Sequence, residues 1–142
     1  MIAALIAAMM LIESGGNAGA IGDGGRALGC LQIRACVIAD VNKYYGATYM
    51  HEDALDLAKA ARICRLYIEA YAPPGAGLET MARIWNGGPN GPNKESTRKY
   101  WHKVEVKYRE LAVQRERVER KADSVKRQNQ NDSCSSGAAA RY

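Results

Sequence analysis

Two carboxylates in contrasting settings stand out among the residues able to do chemistry. Glu13 closes an unbroken apolar run, Ile2 to Ile12, and Asp23 sits in the glycine-rich stretch that follows. A carboxyl at the end of a buried helix is disfavoured as an anion, both by desolvation and by the negative end of the helix dipole. Glu13 is therefore expected to hold its proton near neutrality, as a general acid must. Asp23, on a polar and flexible loop, is expected to stay ionised. Such a pair suits the splitting of a glycosidic bond. A plainer alternative stays open: Glu13-Ser14 before glycines simply ends a helix, and Asp23 before Gly24 is an ordinary turn residue.

Other chemistries find less support. His51 and His102 stand alone, and Cys30, Cys36, Cys64 and Cys134 show no C-x-x-C spacing. No metal site and no cofactor is expected from such a set. Cys30, Cys36 and Cys64 lie among apolar residues and read as small core residues, with one disulfide among them left open.

The elements that must position these residues read as mainly α. Residues 2–14 are rich in Ala, Leu, Met and Ile and stop at Gly15-Gly16, which predicts a helix buried on all sides. The apolar run is shorter than the roughly 20 residues that span a bilayer, and no Lys or Arg precedes it, so it reads as a helix and not as a targeting segment. Residues 15–29 predict turns or a short hairpin. Residues 30–45 read as a helix, or a turn leading into one, ended by Gly46. Helical spacing predicts a helix over 52–71, stopped by Pro73-Pro74. A short helix over 78–85 runs into the turn Asn86-Gly87-Gly88-Pro89-Asn90-Gly91-Pro92. No run shows sustained strand alternation.

Charge divides the chain. Residues 1–93 carry a net −1 and residues 94–142 a net +6. A basic half suits an anionic partner such as a cell-wall polymer, a membrane surface or nucleic acid, although no nucleic-acid motif is present. Trp101, Val104, Tyr108, Leu111, Arg115, Val118, Ala122 and Val125 fall at alternating steps of three and four, a weak heptad seam. The seam could dock on the domain, pair in a homo-oligomer or stand as a solvated helix. Residues 128–142, rich in Ser, Asn, Gln and Ala, read as a disordered tail.

Glu13-Ser14, the glycine-rich loop and Gly29-Cys30-Leu31-Gln32-Ile33, followed by Ile84-Trp85-Asn86-Gly87-Gly88-Pro89 and by Tyr100 in Thr97-Arg98-Lys99-Tyr100, resemble the lysozyme superfamily over residues 2–106. The resemblance is to soluble-type (SLT) lytic transglycosylases and goose-type lysozyme. It implies a lysozyme-like domain over 1–106, followed by a basic helix over 107–127 and the loose tail over 128–142. It implies Glu13 as the catalytic acid and base, and substrate binding by Ser14, Gln32, Trp85, Asn86 and Tyr100. Trp85 stands where the family motif has Tyr. Asp23 stands where the goose-type enzymes carry an Asp, six positions before the Gly of Gly-x-x-Gln, which implies a role in holding a water. Ala27 stands where chicken-type lysozymes place their second acid, so a covalent route is unsupported.

The resulting expectation is a peptidoglycan-cleaving muramidase or lytic transglycosylase. It would act on the β-1,4 bond between N-acetylmuramic acid and N-acetylglucosamine, outside the cytoplasm, by an export route the sequence does not give. Two alternatives remain at this stage: a non-catalytic glycan-binding module, and a structural part of a secretion or phage assembly.

Overall fold

A computed structural model describes the backbone of residues 1–136 and the side chains of residues 1–130. Among the described residues the protein has five α-helices and one small antiparallel sheet, which agrees with a mainly α class. One compact unit spans Met1–Tyr108 and a second begins at Arg109.

Helix α1 runs over Ile2–Ser14. Its Ala, Leu, Ile and Met residues favour helix, and Leu5, Ala8 and Met9 are fully buried. It ends because Gly15 takes the left-handed conformation, φ 67°, and donates its N–H to the Leu11 carbonyl. Gly16 N–H reaches the Met10 carbonyl, closing off the last turn. This termination leaves Glu13 and Ser14 at the mouth of the domain.

The glycine-rich stretch folds as strands β1 (Ile21–Gly22), β2 (Ala27–Leu28) and β3 (Ile33–Arg34), ordered β1-β2-β3. Ile21 pairs with Leu28, and Leu28 with Ile33. A 3-10 turn over Asp23–Gly25 joins the first two strands. Gly29 is required here: its φ is 76°, and a Cβ would lie 1.8 Å from the Ala54 carbonyl oxygen. The hairpin expected over 15–29 is thus extended by a third strand from the Gln32 side.

Helix α2 (Ala35–Tyr45) ends at Gly46 in the left-handed region, φ 63°. Residues 52–71 do not form one helix. A 3-10 turn over His51–Leu55 precedes α3, which spans Leu57–Tyr71. The break falls at Asp56, whose side chain accepts from the Lys59 N–H and so caps the new helix. Helix α3 packs against α1, α2 and α4 (Leu78–Gly87), burying Ile63, Cys64 and Ile68 completely.

Helix α5 runs unbroken over Ser96–Ser136. It contains the heptad-patterned stretch from Trp101, and residues 128–136 are helical where a disordered tail was expected, because no Gly or Pro interrupts the chain before Gly137. Residues 137–142 of that expected tail lie outside the described residues. Within the first unit, Val104 is fully buried. Within the second, Val118 and Val125 of the heptad seam are exposed, as is Val113, which lies off the seam. Cys30 and Cys64 are buried free thiols, as their apolar settings suggest. Cys36 is exposed and not a core residue, because it lies on the outer side of the first turn of α2.

Candidate functional site

An open cleft of about 380 Å³ runs across the first unit. Glu13 from the end of α1 lines it, with Asp23 from the 3-10 turn. Gln32 immediately precedes β3 and Arg34 belongs to it, and Trp85 and Asn86 come from the end of α4. Leu31, Ile33 and Val37 supply the apolar floor. Four separate segments therefore bring Glu13, Asp23, Gln32, Trp85 and Asn86 together.

Glu13 is half-buried, and burial pushes its carboxyl pKa up. Hydrogen bonds from Tyr100 and from Trp85 pull the other way without cancelling that effect. The Tyr100 hydroxyl donates to Glu13 Oε1 at 2.8 Å. Burial and the neighbouring Glu13 charge raise the Tyr100 phenol far above its usual range, so it acts only as a neutral donor here. Behind the acid, the buried Cys64 thiol is also raised, by burial first and then by Glu13.

Asp23 is committed differently. Its Oδ1 accepts from Arg26 Nη2 at 2.8 Å, and its Oδ2 accepts from Arg34 Nη2. Arg26 Nε also donates to the Asp23 carbonyl, at 3.1 Å. Each carboxylate oxygen thus meets a guanidinium, and the side chain stays one-third exposed on the cleft, with acceptor sites left over.

The remaining candidates divide into lining and supporting residues. Asn86 is exposed on the cleft. Trp85 is only 9% exposed and packs edge-on to Tyr67, with centroids 5.8 Å apart at 88°. It presents little ring face to a ligand. Gln32 Nε2 donates to the Gly29 carbonyl at 2.9 Å, pinning the strand turn. A Cβ on Gly22 would lie 2.0 Å from Gln32 Oε1, so this glycine makes room for the Gln32 side chain. Ser14 does not line the cleft; its hydroxyl donates to the Cys30 carbonyl at 2.8 Å and ties α1 to the sheet. Tyr100 does not line it either and acts through Glu13.

Two backbone strains fall at this site. Among the described residues, the non-glycine residues with positive φ are Asp23 (51°) and Gln32 (49°). Each costs on the order of 1 kcal/mol, and such strain concentrates where a side chain must be aimed. Arg26 and Arg34 were missed as site residues. Arg26 stands three positions after Asp23 on a tight turn, a spacing that could have signalled the pair. Arg34 is eleven positions away and needs the sheet to bring it close.

The turn after Asn86 is fixed by a buried network. Thr97 Oγ1 accepts from Arg83 Nε at 2.9 Å and donates to the Gly91 carbonyl at 2.8 Å. Arg83 Nη1 meets Glu79 at 2.8 Å. No group of His, Cys, Asp and Glu side chains among the described residues is arranged to hold a metal ion. None of their helices is long and apolar enough to cross a membrane.

No family model matches the chain, and no curated protein matches it. Among solved structures, it is similar to a chain from the crystal structure of Aeromonas hydrophila PliI in complex with Meretrix lusoria lysozyme. That similarity has 28% identity and a TM-score of 0.61, covering 71% of this chain and 85% of that one. It corrects the functional expectation. The similarity leads to a member of a protein–protein complex and not to a lytic transglycosylase or a goose-type lysozyme. The assignment as a peptidoglycan glycosidase, with muramidase or transglycosylase turnover by Glu13, is set aside on that finding.

Proposed function

We propose that the first unit is a recognition domain on a lysozyme-like scaffold, whose cleft binds an N-acetylated amino-sugar strand of the peptidoglycan kind. The observation that carries this reading is the convergence of Glu13, Gln32 and Asn86 on one open groove, with backbone strain at Gln32 and Asp23. The Glu13 carboxyl, lining the groove, offers a hydrogen-bond partner to a sugar hydroxyl. The Asn86 amide offers both a donor and an acceptor to an acetamido group. Leu31, Ile33 and Val37 give the apolar floor that a pyranose ring needs. A site of action outside the cytoplasm follows from that ligand, and the motifs that resemble the lysozyme superfamily support such a scaffold.

A second reading has one specific observation in its favour. The similar solved structure is a complex of PliI with a lysozyme, so the same cleft on this chain could receive a segment of a protein partner.

Titration with N-acetylglucosamine oligomers and purified peptidoglycan, beside a lysozyme and a PliI protein, separates the two. Saccharide binding that weakens about tenfold in Asn86→Ala supports the first reading. Binding only to a protein supports the second. Release of soluble sugar fragments by the wild type, lost in Glu13→Gln, would overturn recognition without turnover.

A further inference from the structure

A second cavity, of about 330 Å³, adjoins the cleft and is lined by Gly25, Arg26, Arg34, Ala35, Cys36 and His51. Arg34 lines both cavities. No carboxylate lines this second pocket. Asp23 lies on the cleft side and neutralises one of the two guanidiniums, which leaves the pair with an excess positive charge.

The clasp on Asp23 also orients the pair. Arg26 spends Nε and Nη2 on Asp23, and Arg34 spends Nη2. Nη1 of both residues has no partner among the described residues. His51 Nε2 lies 2.8 Å from the Ile33 carbonyl, which can only accept, so this nitrogen carries the proton and fixes the ring at the pocket wall. Helix α2 starts here without a side-chain cap, and the positive end of its dipole adds to the field of the guanidiniums. Arginine forks held in place by a buttressing carboxylate lose little freedom on meeting an oxyanion.

We infer that this pocket is an oxyanion subsite for a carboxylate or phosphate group carried by the strand in the neighbouring cleft. This rests on the glycan reading for the source of the group, but not for the pocket's own chemistry. An acidic strand would lie with its sugar against Glu13 and Asn86 and its anionic substituent across Arg34.

Cys36 gives a direct reporter, because it is exposed in the pocket while Cys30 and Cys64 are buried. The native chain is alkylated in inorganic phosphate or in chloride at matched ionic strength, and each cysteine is followed by peptide mass spectrometry. Phosphate is expected to slow alkylation of Cys36 severalfold, and Arg26→Gln to remove that protection. Equal rates in the two salts would overturn the subsite. In a second arm, matched saccharides that are neutral, carboxylated or phosphorylated are titrated in. The acidic strands are expected to bind roughly fivefold tighter than the neutral one, with the preference lost in Arg26→Gln, and whichever acid gains more identifies the group. Equal affinities would overturn the link between pocket and cleft. Phosphate protection with no saccharide binding would keep the oxyanion pocket and remove the glycan reading.

Discussion

Replacing Tyr100 by Phe removes one oxygen and nothing else from the support of Glu13. The phenol donates to Glu13 Oε1 at 2.8 Å, and the ring remains to fill its place. A hydrogen bond to an ionised group contributes about 1.5–3 kcal/mol, and one to a neutral group about 0.5–1.5 kcal/mol. The cost of Tyr100→Phe should therefore grow as Glu13 ionises, from about 1 kcal/mol in acid to about 2 kcal/mol in mild alkali. The same bond lowers the Glu13 pKa against the larger effect of burial, so its loss must raise that pKa further. Linkage binds the two results together: the rise in cost between the pH limits equals about 1.36 kcal/mol for each pKa unit moved. Urea unfolding at about pH 4 and about pH 8 gives the first quantity, and carbon NMR of the Glu13 carboxyl gives the second. A cost identical at both pH values, or a Glu13 pKa that stays put or falls, would refute the coupling of Tyr100 to Glu13.

Glu13→Gln should stabilise the chain at neutral pH and leave it unchanged in acid. Glu13 has its folded pKa raised above the ordinary value of 4.5, so its contribution to stability is complete below about 4.5 and is lost as pH rises through the folded value. Unfolding curves of both proteins across that range test the sign. Thr97→Val should cost about 2–3 kcal/mol, because Arg83 Nε and the Gly91 carbonyl lose their shared buried partner; Thr97→Ser should recover most of it in the same denaturation assay. Gly29→Ala should cost about 3 kcal/mol or more, since it combines a left-handed φ of 76° with a Cβ 1.8 Å from the Ala54 carbonyl. A melting temperature near wild type would show that the sheet turn can move away from Ala54.

Short-range chemistry was legible in the residues themselves. The span of α1 follows from helix formers ended by Gly15, and its capping bonds reach back only to Leu11 and Met10. The stop of α2 at Gly46 and the turn after Asn86 are local in the same way. The raised carboxyl of Glu13 was also foreseeable, since an apolar helix carries it into partial burial wherever that helix packs. Helical spacing over 52–71 hid the break at Asp56, because the same apolar positions serve a 3-10 turn and the helix that follows it.

Tertiary structure decided which groups meet in the cleft. Tyr100 reaches Glu13 across 87 residues, and no periodicity encodes a contact of that length. Asp23 looked like a free carboxylate on a loop until β3 brought Arg34 to it beside Arg26. Ser14 donates its hydroxyl to the Cys30 carbonyl sixteen residues on, a tie between α1 and the sheet that no local spacing encodes. Sequence fixes which groups are present and how the nearest few residues bend. Whether an acid meets a base, an arginine or a ligand depends on which distant element packs beside it, and that is decided by the fold as a whole.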